Sequence, residues 1–215
     1  MPTVTADAAP PRPTPPAAGP AEASEADRPG QGRGGAGSRE ATRRALLDGA
    51  RRLFSRSGYD HVGVREIAAT AGVNAALVNR YFGSKLGLFE EAVADGFTVG
   101  DLLVGDRATL GPRLARYLVR PRPDGFDPTL VVLRSAASPE AGPVLRAALA
   151  DGVAAPLAAW LGGADARERA GLVVAVLFGF ALGRDVVAVP ALADGDRAAL
   201  AGHLGAVLQR LIDGG

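Results

Sequence analysis

The 215-residue chain has no cysteine, which excludes disulfides, thiolate nucleophiles and Cys-ligated metals and fits a reducing, cytoplasmic setting. Histidine is nearly absent too: His61 and His203 belong to no metal-spaced pair, His61 reading as an exposed turn residue and His203 as a solvent or dimer-surface residue. No nucleophile elbow, phosphate loop or zinc-binding histidine pair occurs, so an all-α enzyme stays open only through carboxylates scattered along the chain. Aromatic residues make up only 5%, leaving aliphatic side chains to build the core, and neither sign of charge dominates, with 24 Lys+Arg against 23 Asp+Glu. No cofactor is implied.

Residues 1–37 lack bulk as well. They hold half of the chain's prolines, and Met1 and Val4 are their only sizeable apolar side chains, so ordering them would bury too little surface; the expectation is a disordered tail. It has no apolar stretch long enough for a secretory signal. Gly30, Gly32 and Gly35 match a G-x-G-x-x-G spacing, but no strand precedes them and the setting is low complexity.

What is present is concentrated in residues 64–89, VREIAATAGVNAALVNRYFGSKLGLF. Val64, Ile67, Ala68 and Ala71 recur at helical spacing, while Arg65, Glu66 and Thr70 face outward. Gly72 suits the left-handed residue that ends a helix, and Asn74 suits the N-cap of the next. In that second helix Val78 and Phe82 lie one turn apart, Phe82 being core. Ala75, Ala76, Asn79 and Arg80 occupy the remaining face, and Tyr81 is divided between packing and reaching a phosphate. Small residues allow close approach, Asn suits adenine edges or phosphate, and Arg suits guanine or phosphate, which is the chemistry of a major-groove helix. Ser84 then caps a third helix, where free N–H groups beside Lys85 read as a phosphate site. Isolated, Arg80 and Lys85 would read as ordinary solvated charges; the contiguous pattern sets them apart.

This run resembles the signature of TetR-family bacterial transcription regulators: apolar-Arg-acidic-Ile-Ala, spacer, Ala-Gly-Val-Ser/Asn, a variable recognition helix, aromatic-Phe, Gly/Pro-Ser-Lys and a hydrophobic run. Here Val64 to Ala68, Ala71 to Asn74, Tyr81 to Leu86, Leu88 and Phe89 fill those places without gaps, within a match from about Arg39 to Phe89. Two departures matter. Gly63 stands where members often place a phosphate-binding Thr, and Ala75, Ala76 and Leu77 replace a common Lys, Gly and Thr, which shifts base reading to Asn74, Asn79, Arg80 and Tyr81.

Charge distribution agrees with this. Residues 38–89 hold 9 basic and 4 acidic side chains, whereas residues 90–215 hold 12 and 15. Arg39, Arg43 and Arg44 crowd the start of a first helix expected from about Ser38 or Arg39 to Ser57 and are placed to meet phosphates; Arg51, Arg52 and Arg56 continue along it. Such contacts confer affinity without sequence information and weaken with salt. Tyr59, just past the helix-ending Gly58, is expected to plug a small core.

The remainder is again helical by pattern, giving an all-α chain with a three-helix DNA-binding unit at 38–84 and a larger domain at 85–215. A long helix is expected to continue from Leu86 through Phe97 to Leu102, with Gly96 and Gly100 as bending points. Further helices are expected at Leu110–Val119, Thr129–Ala137 (Asp127 as cap, Pro128 first), Ser138 to about Leu161 (divided or kinked at Pro143), Asp165 to about Ala188, and Asp194–Ile212. The run Leu172–Leu182 is nearly all apolar, but Gly179, Gly183, Arg184 and Asp185 interrupt it as a membrane span. A dimer interface formed by the last two helices is the better reading, through Leu172, Val176, Gly179, Phe180, Gly183, Leu200, Leu204, Val207, Leu208 and Leu211.

The resemblance implies a homodimer through these helices, an inverted-repeat operator in double-stranded DNA, and a small-molecule pocket in the middle helices whose occupant shifts the helix starting at Lys85. Candidates for the pocket are Phe97, Tyr117, Phe126, Leu133, Arg134, Trp160 and Phe178, each of which could equally be core. With Arg134 the only charge among them, a bulky, largely apolar effector and a ligand-responsive repressor are the expectation. Control by a protein partner, or by none, is the alternative.

Overall fold

The computed structural model describes residues 33–97, 99–122 and 125–214, with side chains from Gly37 onward and without that of Asp95; most of the expected disordered tail lies outside these residues. The described chain is all helical. α1 (Arg33–Ser57), α2 (Val64–Thr70) and α3 (Ala76–Phe82) form the head, and α4 (Lys85–Ala94) leads out of it. There follow α5 (Gly100–Leu103), α6 (Leu110–Val119), α7 (Pro128–Ser135), α8 (Ala141–Leu149), α9 (Ala155–Leu161), α10 (Ala166–Ala181), α11 (Pro190–Ala193) and α12 (Arg197–Asp213).

α1 begins at Arg33, about a turn and a half before the expected Ser38 or Arg39. Once a helix is nucleated, each added residue gains one hydrogen bond, so the poor helix formers of RGGAG can be carried by the strong segment behind them. The local signals at the next turns act as read. Gly72 sits at φ 66°, the Asn74 side chain accepts from the Ala76 N–H at 2.8 Å, and Ser84 Oγ accepts from the Gly87 N–H at 2.9 Å.

The expected continuous helix beyond Lys85 is broken. α4 tightens into a 3₁₀ turn at Asp95–Phe97, and α5 starts only at Gly100. The helix expected up to Leu161 is divided as well, but not at Pro143, which lies within α8. The division is a wide, π-type turn at Ala150–Ala154. Pro156 explains it: its ring lacks an N–H and would strike the carbonyl four residues back, at Gly152, so the backbone widens there. α10 likewise ends in a π-type turn, Leu182–Val186, and the last helix starts at Arg197 rather than Asp194, with Asp196 Oδ1 accepting from the Ala199 N–H at 2.7 Å.

Two cores result. The first joins the head to α4, α7 and α8: Phe54, Tyr59 and Phe89 pack with centroids 5.1–6.0 Å apart, and Val131, Val132, Ala141 and Leu145 close over them. Tyr59 is 2% exposed and plugs this core as expected. The second core joins α6, α9, α10 and α12. Where α6 crosses α12 at Gly111 the two backbones touch, since a methyl there would lie 2.5 Å from the Gly205 carbonyl oxygen and 2.6 Å from the Gln209 nitrogen. The run Ala141–Leu161, not Leu172–Leu182, is the stretch long and apolar enough to cross a membrane, with mean hydropathy 1.4; its Leu145, Leu157 and Leu161 are buried in the two cores.

Candidate nucleic-acid interface and internal cavity

α3 lies on the head with Val78 and Phe82 buried beneath it, and with Ala75, Leu77 and Tyr81 half-buried around them. What remains exposed is Asn74, Ala76, Asn79 and Arg80. Arg39 and Arg44 on α1 and Arg65 on α2 are exposed too, and none of these four arginines has an ion-pair partner among the described residues. Tyr81 packs its ring 6.4 Å from that of Phe82, which tilts its divided reading towards packing.

Two cations expected to approach phosphates are otherwise engaged. Lys85 turns inward: its ammonium donates to the carbonyls of Tyr59 at 2.9 Å and Val62 at 3.2 Å and sits 3.8 Å from the Tyr59 ring centroid. It ties the α1–α2 turn to the start of α4, because a half-buried ammonium needs acceptors and those two carbonyls are the ones within reach. Arg43 pairs with Glu91 of α4 and lies over the Phe82 ring at 5.1 Å.

The head is locked to the body through the Tyr59 turn. The Tyr59 hydroxyl donates to Glu140 at 2.6 Å, its N–H donates to Ser135 Oγ at 2.9 Å, and Ser138 donates to Asp60 at 2.8 Å. Burial and the neighbouring Glu140 carboxylate both push the Tyr59 phenol well above its ordinary pKa. Arg134 donates to the Ser55 carbonyl, and a methyl at Gly58, whose φ is 75°, would run into the Arg134 carbonyl oxygen.

Between the 3₁₀ turn that follows α4 and the helices α5, α6, α7, α8 and α10 lies a cavity of about 90 Å³ lined mainly by apolar groups, with Thr129 and Tyr117 as its hydroxyl bearers. Phe97, Tyr117 and Phe178 line it as expected. Four candidates do not. Arg134 grips the head, Phe126 lies under Arg51 at 5.4 Å, and Trp160 packs on the second core beneath Arg107 at 5.6 Å. Leu133, too, packs on the second core rather than in the cavity wall. Leu114, Leu118, Leu149, Val153, Val174 and Leu177 complete the wall; a short aliphatic residue on a buried helix looks the same in sequence whether it faces a cavity or a neighbour. Beside the cavity, Tyr117 is stacked by Arg120 at 4.3 Å and Arg122 at 4.7 Å. Burial pulls the Arg122 guanidinium down, but Asp127, 3.0 Å away, and Tyr117 outweigh it and hold the group above its ordinary value.

The expected dimer set divides in two. Leu172 is 52% and Val207 50% exposed, and Gly179 faces open space on the same side of α10 as the exposed Leu182 and Val186. Leu204 and Leu208 are instead buried in the subunit's own core, because α12 presents that face to α6. Val176, Phe180 and Leu211 pack partly against the same core, Leu200 is half-buried, and Gly183 is covered by Leu192.

Residues 46–92 match the model of the bacterial regulatory proteins of the tetR family, and residues 108–212 match that of the tetracyclin repressor-like C-terminal domain. The chain belongs to the TetR family. As a TetR-family protein it is a DNA-binding transcriptional regulator. Solved structures agree over nearly the whole fold. A TetR-family regulator from Streptomyces coelicolor A3 is 29% identical over 86% of this chain and 99% of its own, with a TM-score of 0.53. A transcriptional regulator from Rhodococcus sp. Rha1 is 26% identical over 82% and 97%, with a TM-score of 0.58. NalD, the secondary repressor of the MexAB-OprM multidrug efflux pump in Pseudomonas aeruginosa, shares the fold at 22% identity over 80% and 96%, with a TM-score of 0.60. No curated protein matches the chain.

Proposed function

We propose that this TetR-family regulator is a cytoplasmic homodimeric repressor that binds an inverted-repeat operator and is released by a small, largely apolar effector. The observation that carries the DNA reading is the exposed set Asn74, Ala76, Asn79 and Arg80 on a helix whose other side is buried, flanked by unpaired Arg39, Arg44 and Arg65. Asn79 and Arg80 read bases, Asn74 and the alanines set how closely α3 approaches, and the flanking arginines meet phosphates. Lys85 and Arg43 support the head instead. The exposed apolar residues Leu172 and Gly179 on α10, Leu182 and Val186 on the turn that ends it, and Val207 on α12 support pairing of two subunits, which presents two α3 helices to half-sites about one helical turn or a modest multiple apart. The effector reading rests on the apolar cavity beside α4 and α7; a coupling of about 1–3 kcal/mol would change operator affinity roughly 5- to 150-fold. The direction of control follows that of NalD, a repressor that shares this fold.

The test is a footprint on the promoter DNA of the chain's own and neighbouring genes. Wild-type protein should protect a defined inverted repeat, and Asn79→Ala and Arg80→Ala should each lose at least tenfold in affinity for it. If wild-type protein protects no defined site at low salt while both variants bind DNA just as well, the reading fails.

A further inference from the structure

At the connection between α6 and α7, just along the chain from the cavity-lining Leu118 and Pro128, is a second cleft of about 350 Å³ with the opposite character. Four guanidinium groups line it, Arg120 and Arg122 from that connection, Arg184 from the turn ending α10, and Arg197 from the start of α12. Among the described residues two carboxylates accompany them, and both are already committed: Asp127 to Arg122 at 3.0 Å and Asp185 to Arg184 at 2.8 Å. Arg120 and Arg197 are exposed and have no acidic partner among the described residues. Among the described residues, one terminal nitrogen of Arg122 is buried with no hydrogen-bond partner.

General basicity does not explain the cluster, since residues 90–215 carry three more acidic than basic side chains. The head does not explain it either, because no lining residue comes from α1 to α4. Guanidinium groups crowded round one concavity repel one another and together present the forked donors that suit carboxylate or phosphate. Tyr117 stands between the two spaces, one of the walls of the apolar cavity and stacked by Arg120 and Arg122 of the cleft.

We propose that the arginine cleft binds an anionic group, carboxylate or phosphate, and that its natural bearer is an amphipathic molecule whose apolar part fills the adjacent cavity. The proposal deepens the effector reading above and rests on it for the apolar half; the anion half stands on the cleft alone. Tyr117 is the partition that such a molecule passes, its ring held by the same two arginines that meet the head group.

Isothermal titration calorimetry on the full chain without DNA tests this with three probes: decanoate, decanol and inorganic phosphate. Decanoate should bind at least tenfold more tightly than decanol, and R120Q/R197Q, which leaves both buried ion pairs in place but removes one of the two arginines stacked on Tyr117, should weaken decanoate at least tenfold and decanol less than threefold. Phosphate binding that is lost in R120Q/R197Q would support the anion site with a free anion as its occupant. R122Q should abolish the charge preference; if that variant fails to fold, R120Q/R197Q decides alone. Decanoate and decanol binding equally, neither responding to R120Q/R197Q, would overturn the anion site while leaving an apolar effector standing. No binding of decanoate or phosphate would overturn it outright. Because no operator is involved, a failed footprint and a failed anion site are read independently.

Discussion

Lys85 shows how a side chain can fit a motif and still do different work from the one its position suggests. Its ammonium holds two carbonyls of the Tyr59 turn, so Lys85→Met should lower stability by about 1–2 kcal/mol, read as a fall in the chemical-denaturation midpoint. Arg80→Ala, at an exposed and unpaired residue, should leave that midpoint within about 0.5 kcal/mol of wild type and lower only operator affinity. Tyr59 gives a pH signature. Its folded phenol holds its proton more tightly than in the unfolded chain, so this contribution to stability is present below the ordinary tyrosine value of about 10 and is lost as pH rises above it. Melting temperatures of wild type measured from pH 8 to 11.5 should therefore fall more steeply above about pH 10 than those of Tyr59→Phe, which has no proton to lose.

At the scale of elements, punctuation was legible wherever one residue's chemistry decides the backbone. Gly72, Asn74, Ser84, Asp127 and Pro128 all act where their types predict, and so does the burial of Phe82 beneath α3. What escaped notice depended on a second element. The break at Ala150–Ala154 needs Pro156 together with the Phe97 carbonyl that crowds Gly152, and periodicity reports neither. Leu204 and Leu208 look alike in sequence whether α6 or a partner covers them, so periodicity alone does not tell the inward face of α12 from a dimer surface. The cavity was half legible for the same reason: its aromatic members stood out and its aliphatic ones did not. Glycines separate the two kinds of information experimentally. Gly72→Ala, with open space around it but φ at 66°, should cost about 1–2 kcal/mol from backbone strain alone. Gly111→Ala forces backbone against backbone and should cost about 3 kcal/mol or more, enough to reduce the yield of folded protein, as thermal melts of the two variants would show.

For the whole molecule, the proposed operator binding and the proposed pairing of subunits use two separate surfaces. Arg39, Arg44 and Arg65 give about six exposed cations in a dimer, so log K against log salt should have a slope approaching about −5 if all six meet phosphates, and the Arg39→Ala/Arg44→Ala pair should flatten it by about 3 to 4. Leu172→Asp should yield monomers by light scattering and weaken operator binding with them, because each half-site then binds alone. The seam at Gly111 and Gly205 sets which parts of such a dimer are free to shift. With backbone pressed on backbone, α6 and α12 form one stiff plate, and on the proposed dimer that plate is the stator, anchored to its twin. A molecule wedged against α6 gets no give from that side, so any displacement must be taken up opposite, by α7, and α7 is the helix whose Arg134 and Ser135 hold the reading head.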